Sequence, residues 1–106
     1  MKIYIDFGYA NVGDRQLHEF LQLPEKHMEI EASTTREVFE RLRTQSPVAQ
    51  EIFKMQFHPN GVLDGGWMIV LNRGSTKAKG IKSDADLDIP LNEGDRIYIS
   101  SIVCGG

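Results

Sequence analysis

Asp95-Arg96-Ile97-Tyr98-Ile99-Ser100-Ser101-Ile102-Val103-Cys104-Gly105-Gly106 is the stretch on which the fold turns. Ile97 and Ile99 alternate with Arg96 and Tyr98, and the apolar pattern runs on through Ile102, so the spacing predicts a strand over 95–103. Cys104-Gly105-Gly106 then runs off its end. At the other end of the chain Lys2 to Phe7 alternates as cleanly. Ile3, Ile5 and Phe7 point one way, and Lys2, Tyr4 and Asp6 the other. A period of two marks a half-buried strand. These first and last strands are the natural central pair of a sheet.

Between them the chain supplies the rest of that sheet and its cover. Gly8 to Asp14 reads as loop, and Gln16 to Leu23, closed by Pro24, as a short helical turn or a structured loop. Alternation returns from Met28 to Ala32, with Glu29 and Glu31 outward, which gives a second strand and a long-looped hairpin. Thr34-Thr35-Arg36-Glu37 is a helix start. Thr34 can cap free N–H groups, and Glu37, three residues on, can reach back to it. Val38, Phe39 and Leu42 form the apolar face. The helix is expected to stop near Ser46, because the residue before Pro47 disfavours helical geometry. Pro47 can open a second short helix, Val48 to about Lys54. Phe57 to Gly66 is rich in turn residues. Trp67 to Leu71 is a continuous apolar run, which predicts a strand covered on both faces. Asn72-Arg73-Gly74 turns it, 75–81 offers a short edge strand, and 83–92 is acidic and irregular. The pattern is α+β: a mixed sheet with one main helix packed on one face.

The 106 residues suffice for one domain and one modest core. A formal net charge of −3 with no basic stripe argues against a nucleic-acid binder. The single cysteine, Cys104, excludes an intramolecular disulfide and a zinc motif. No apolar run approaches the ~20 residues of a membrane helix, and no secretory signal opens the chain, so a cytoplasmic location is expected.

Leu87-Asp88-Ile89-Pro90-Leu91-Asn92-Glu93-Gly94-Asp95-Arg96-Ile97-Tyr98-Ile99 resembles the penultimate turn and final strand of the MoaD/ThiS sulfur-carrier family. That family comprises the small subunit of molybdopterin synthase and the sulfur carrier of thiamin biosynthesis. Its Pro-Leu-x-x-Gly-Asp turn is matched by Pro90, Leu91, Gly94 and Asp95, and its terminal Gly-Gly by Gly105-Gly106. Asn60-Gly61 through Met68-Ile69-Val70-Leu71-Asn72 is similar to an upstream loop and strand of the family. The connection from Gly8 to Lys26 is longer than in short members, and Cys104 and Ser100-Ser101 depart from the usual tail.

The resemblance implies a ubiquitin-like β-grasp domain over 1–106 with a flexible Gly-Gly tail. It implies a carrier rather than an enzyme. By that resemblance Gly106 is expected to be adenylated by an E1-like adenylyltransferase that uses ATP, then converted to a thiocarboxylate. The sulfur goes to a molybdopterin-synthase large subunit or a thiazole synthase in molybdopterin, tungstopterin or thiamin biosynthesis. The same tail also serves the alternative, a ubiquitin-like modifier joined to lysines. No bound cofactor and no nucleic-acid or membrane partner is expected. Glycines suit the tail because the absence of a Cβ lets it thread a narrow channel.

Other candidates are weaker. Cys104 lies in the tail beside Gly105, with no neighbouring positive charge to favour its thiolate. His18, His27 and His58 are too scattered for a metal site. Asp84, Asp86 and Asp88 read as a solvated loop rather than a metal-binding run. Gly74-Ser75-Thr76-Lys77 lacks the spacing of a phosphate loop. For partner binding, Tyr4 and Tyr98 oppose the inward sets of their strands and are favoured for an exposed face. Phe57 is a weaker candidate, and Trp67 is read as core.

Overall fold

The structure, a computed structural model, describes residues 1–8, 16–53, 67–74 and 78–101. Five strands form one mixed sheet among them: β1 (Lys2–Phe7), β2 (His27–Glu31), β3 (Trp67–Asn72), β4 (Ala78–Gly80) and β5 (Arg96–Ser101). Their order across the sheet is β2-β1-β5-β3-β4. β1 and β5 are the central parallel pair, with Ile5 opposite Ile97 and Phe7 opposite Ile99. β2 lies antiparallel on β1, and β3 antiparallel on β5. With its helices on one side, this is the α+β arrangement of the ubiquitin-like β-grasp fold.

The period of two decides which face is buried. Ile3, Ile5, Phe7, Ile69, Leu71, Ile97 and Ile99 are all buried on one side of the sheet. Helix α2 (Thr35–Arg43) covers them with Val38, Phe39 and Leu42. Fully burying a side chain of this size contributes about 1.5–3 kcal/mol. Phe39 also stacks on Phe53, ring centroids 5.3 Å apart, which ties α3 (Pro47–Ile52) to the same core.

The helix ends follow local chemistry. Thr34 Oγ1 accepts the Glu37 N–H at 3.2 Å, as the cap pattern requires. The Glu37 carboxylate reaches one residue further back than expected, to the N–H of Ser33 at 3.3 Å. α2 stops at Arg43, short of Ser46. Ser46 is extended and caps α3 instead, accepting the Ala49 N–H at 3.0 Å, with Pro47 in the first turn. The short α1 (Leu17–Phe20) ends in a Schellman motif: Leu23 N–H donates to His18 O (2.8 Å) and Gln22 N–H to Glu19 O (3.1 Å). That motif places Gln22 at φ 60°, where glycine is the usual residue.

Two expectations are corrected. Trp67 to Leu71 is not covered on both faces. Trp67, Ile69 and Leu71 are buried, but Met68 is 41% exposed and Val70 only half-buried. The helices lie on a single side, so an apolar run has here become a one-sided strand with apolar residues facing out. The acidic segment is not simply solvated loop. It holds a 3-10 turn (Ala85–Asp88) tied to α2 through Arg36, whose Nε donates to Asp88 Oδ1 at 2.8 Å and Nη2 to Asp88 Oδ2 at 3.2 Å. The predicted strand over 95–103 is described as far as Ser101.

Candidate functional site

β5 carries the chain toward Gly105-Gly106, so both of its ends matter. At its entrance the turn from Pro90 to Asp95 is held from several sides. Leu91 is fully buried and its N–H donates to Ser33 O at 2.9 Å. Gly94 takes φ +86°, a left-handed conformation suited to glycine, and its N–H donates to Lys2 O at 2.9 Å. Asp95 is 6% exposed. Its Oδ2 accepts the Asn92 N–H at 2.8 Å and lies 3.3 Å from Arg73 Nε. Arg73 also donates through Nη2 to Pro90 O. The Gly-Asp of the turn is therefore structural: glycine supplies the backbone shape, and aspartate closes the turn and holds the arginine that follows β3.

At the exit of β5 the description ends at Ser101, which pairs with Trp67, while Ser100 pairs with Met68. Gly8 N–H donates to Ile99 O at 2.8 Å, and Gly8 O accepts the Leu17 N–H at 2.7 Å. The end of β1, the start of α1 and the last turns of β5 thus meet at one point. Beneath it Phe20 packs on Trp67, ring centroids 6.1 Å apart and tilted by 40°. Trp67 is 7% exposed and belongs to the core, as read from the sequence. Cys104, Gly105 and Gly106 lie outside the described residues, as do Phe57, His58, Asn60, Gly61 and residues 75–77.

The sheet face opposite the helices carries both tyrosines. Register places Tyr4 beside Arg96, and Tyr98 between Asp6 and Val70. They share the face but not a site. Tyr4 is half-buried and lies under the Arg96 guanidinium, 5.1 Å from its ring centroid. Arg96 Nη1 in turn donates to both oxygens of Asp6, at 3.2 and 3.0 Å, and His27 Nδ1 is 2.6 Å from Asp6 Oδ1. Tyr98 is 40% exposed and stands next to Met68 and Val70, near the end from which the tail continues. The open face is thus divided. Its β2–β1 side, with Arg96 at the start of β5, is a ladder of paired charges, and the part formed by Tyr98, Met68 and Val70 is uncharged and partly apolar. Sequence reasoning found Tyr98 but missed Met68, because an unbroken apolar run hides which of its residues face outward.

No cluster of metal-ligating side chains occurs among the described residues. Asp84, Asp86 and Asp88 do not converge. Asp86 accepts the Lys82 N–H at 2.9 Å, and this hydrogen bond, helped by the Lys79 ammonium 3.7 Å away, holds its carboxyl below the ordinary range. The Arg36 fork lowers Asp88 in the same way and raises Arg36 itself. No helix among the described residues is long and apolar enough to cross a membrane.

No family model matches the sequence, and no curated protein matches it either. In three dimensions the chain is similar to the crystal structure of SAMP1 from Haloferax volcanii, with a TM-score of 0.57 and 14% sequence identity over 100% of both chains. At that identity the likeness carries the ubiquitin-like fold alone.

Proposed function

We propose that this chain is a ubiquitin-like carrier whose C-terminal glycine is activated by an E1-like, ATP-dependent adenylyltransferase and turned into a sulfur donor. The observation that carries the reading is the position of β5. The strand leading to Gly105-Gly106 is the middle one of the sheet, anchored at its entrance, and it hands the chain on at the edge of an open, partly apolar face. A body of this kind presents an end to other enzymes, and no catalytic constellation is needed within it.

A carboxylate is a poor acyl donor. An oxygen of the Gly106 carboxylate attacks the α-phosphorus of ATP and pyrophosphate leaves, which gives an acyl adenylate. A hydrosulfide equivalent then attacks the carbonyl carbon, and AMP departs with the bonding electrons. The product is a thiocarboxylate, able to pass its sulfur to a precursor held by an acceptor such as a molybdopterin-synthase large subunit or a thiazole synthase. The second reading is favoured by the likeness to SAMP1, a ubiquitin-like small archaeal modifier protein. In it a lysine amine attacks the same adenylate-derived acyl group and an isopeptide bond forms.

Intact mass after incubation with the cognate adenylyltransferase, a sulfur source and ATP separates the two. One oxygen replaced by sulfur supports the carrier, and adducts on other proteins support the modifier. If neither forms, both readings fail. Deletion of Gly106 is expected to abolish either product while leaving the melting temperature unchanged.

A further inference from the structure

Gly8 is a glycine for want of space. Its φ is not positive, so its backbone conformation does not demand glycine. A Cβ placed on it, however, would stand 2.3 Å from Tyr98 Oη, 2.9 Å from Tyr98 Cζ and 2.7 Å from Ser100 Cβ, all far inside van der Waals contact. The phenol end of Tyr98 therefore crosses from β5 onto the backbone at the end of β1, leaning toward the edge of the sheet where the tail departs. An aromatic ring laid over a glycine on the neighbouring strand fills the space that a side chain would take. Being wedged there, the ring has lost rotamer freedom before any partner arrives. Such preorganisation lowers the cost of binding, and rigid aromatics are the usual anchors of interfaces. Its outer surface remains 40% exposed, beside Met68 at 41%.

We propose that Gly8 is a positioning residue: it holds the Tyr98 ring at the tail end of the sheet as the platform on which the adenylating enzyme docks. The proposal rests on the adenylation reading above. Residues 102–106 span at most about 18 Å, so an enzyme that reacts with Gly106 brings its own surface at least that near to Ser101. Ser100 pairs with Met68, and Tyr98 is the previous residue on the open face, roughly 7 Å back along the strand. An enzyme that takes the tail comes within reach of the apolar half of the face, where Tyr98 and Met68 are exposed, whereas the β2–β1 half already has its charges paired. Its contact there is uniform binding, equal before and during the reaction, and belongs in KM rather than kcat.

The test is ATP–pyrophosphate exchange by the cognate adenylyltransferase, with this chain as the varied substrate. Tyr98→Ala is expected to raise KM about tenfold with kcat unchanged, the size of loss typical of an interface anchor. Tyr98→Phe, which keeps the ring, is expected to recover most of that loss. Gly8→Ala is expected to raise KM by a similar factor. In a Ser100→Gly background, which removes the Cβ that the new methyl would also strike, the double variant is expected to be no worse than Tyr98→Ala, since both changes then act through one ring. If Gly8→Ala unfolds the chain, recovery of folding in the double variant is the supporting result, and persistence of the defect the overturning one. An unchanged KM in Tyr98→Ala, a fall in kcat instead, or an additive double variant overturns the proposal and leaves the adenylation reading standing. A wild-type chain that supports no exchange overturns both.

Discussion

Where the chain enters β5 it is fastened by a buried carboxylate, an arginine, a left-handed glycine and backbone hydrogen bonds to two other segments, β1 and Ser33. Where it leaves, the described contacts are the sheet pairing itself, one Gly8–Ile99 hydrogen bond and the packing of aromatic rings. The entrance uses residues suited to their positions, with glycine at φ +86° and aspartate where a turn N–H must be met. The exit side tolerates a glutamine at φ 60° and puts Met68 and Tyr98 in contact with water. The contrast teaches that stability and presentation are allotted to opposite ends of one strand. On the proposed carrier reading the body must be held still while the end is offered, and these needs conflict if they share residues.

Substitutions at the entrance are the sharpest way to break this division. Asp95→Ala leaves Arg73 without its carboxylate and the Asn92 N–H without its acceptor, at a carboxylate that is itself buried although Asn92, Glu93 and Gly94 beside it are exposed. We expect a loss of about 3 kcal/mol, measured by urea unfolding. A loss under about 1 kcal/mol would place this pair with ordinary surface ion pairs. Gly94→Ala comes next. Nothing lies within 4 Å of the added methyl, so the cost is backbone strain alone, about 1–2 kcal/mol in the same measurement. Neither change is expected to alter kcat for adenylation of the folded fraction.

On the exit side the expected sign reverses. Gln22→Gly relieves the left-handed residue of the Schellman motif and is expected to raise stability by about 0.5 kcal/mol in thermal melts. A loss would mean that the Gln22 side chain compensates for its backbone.

The smallest effect is that of acid. Asp86 and Asp88 both lie below their ordinary value of 3.8 when folded. The folded state thus binds their protons less tightly than the unfolded chain does. Their contribution is complete above the unfolded value and drains away as the pH falls through the lower, folded ones. Asp88→Asn is expected to flatten this part of the stability–pH curve slightly, because the Arg36 pair is open to solvent. A curve that is unchanged would show the fork to be energetically idle.

What was legible in the sequence was local. Alternation in β1 and β5 named the buried isoleucines, and Thr34 with Glu37 marked the start of α2, because each signal is written within a few residues. The outward set of Trp67–Leu71 was not legible, since an apolar residue at every position carries no period. Nor was the clasp of Arg73 on Asp95, or the fit of Tyr98 over Gly8. Both join positions far apart in the chain, and the second is visible only as a missing side chain. The candidate tail was legible as a motif. The face beside it required the sheet register.

The central place of β5 has a consequence for the birth of the molecule. Of the five strands it is the last to emerge from the ribosome, yet it is the one that joins the β1–β2 pair to the β3–β4 pair. Until it arrives there are two ribbons and no sheet, and two-stranded ribbons are marginal in water. Synthesis interrupted before Arg96 is therefore expected to leave the two ribbons unjoined and open to proteolysis, so the sheet and the strand at its centre come into being together.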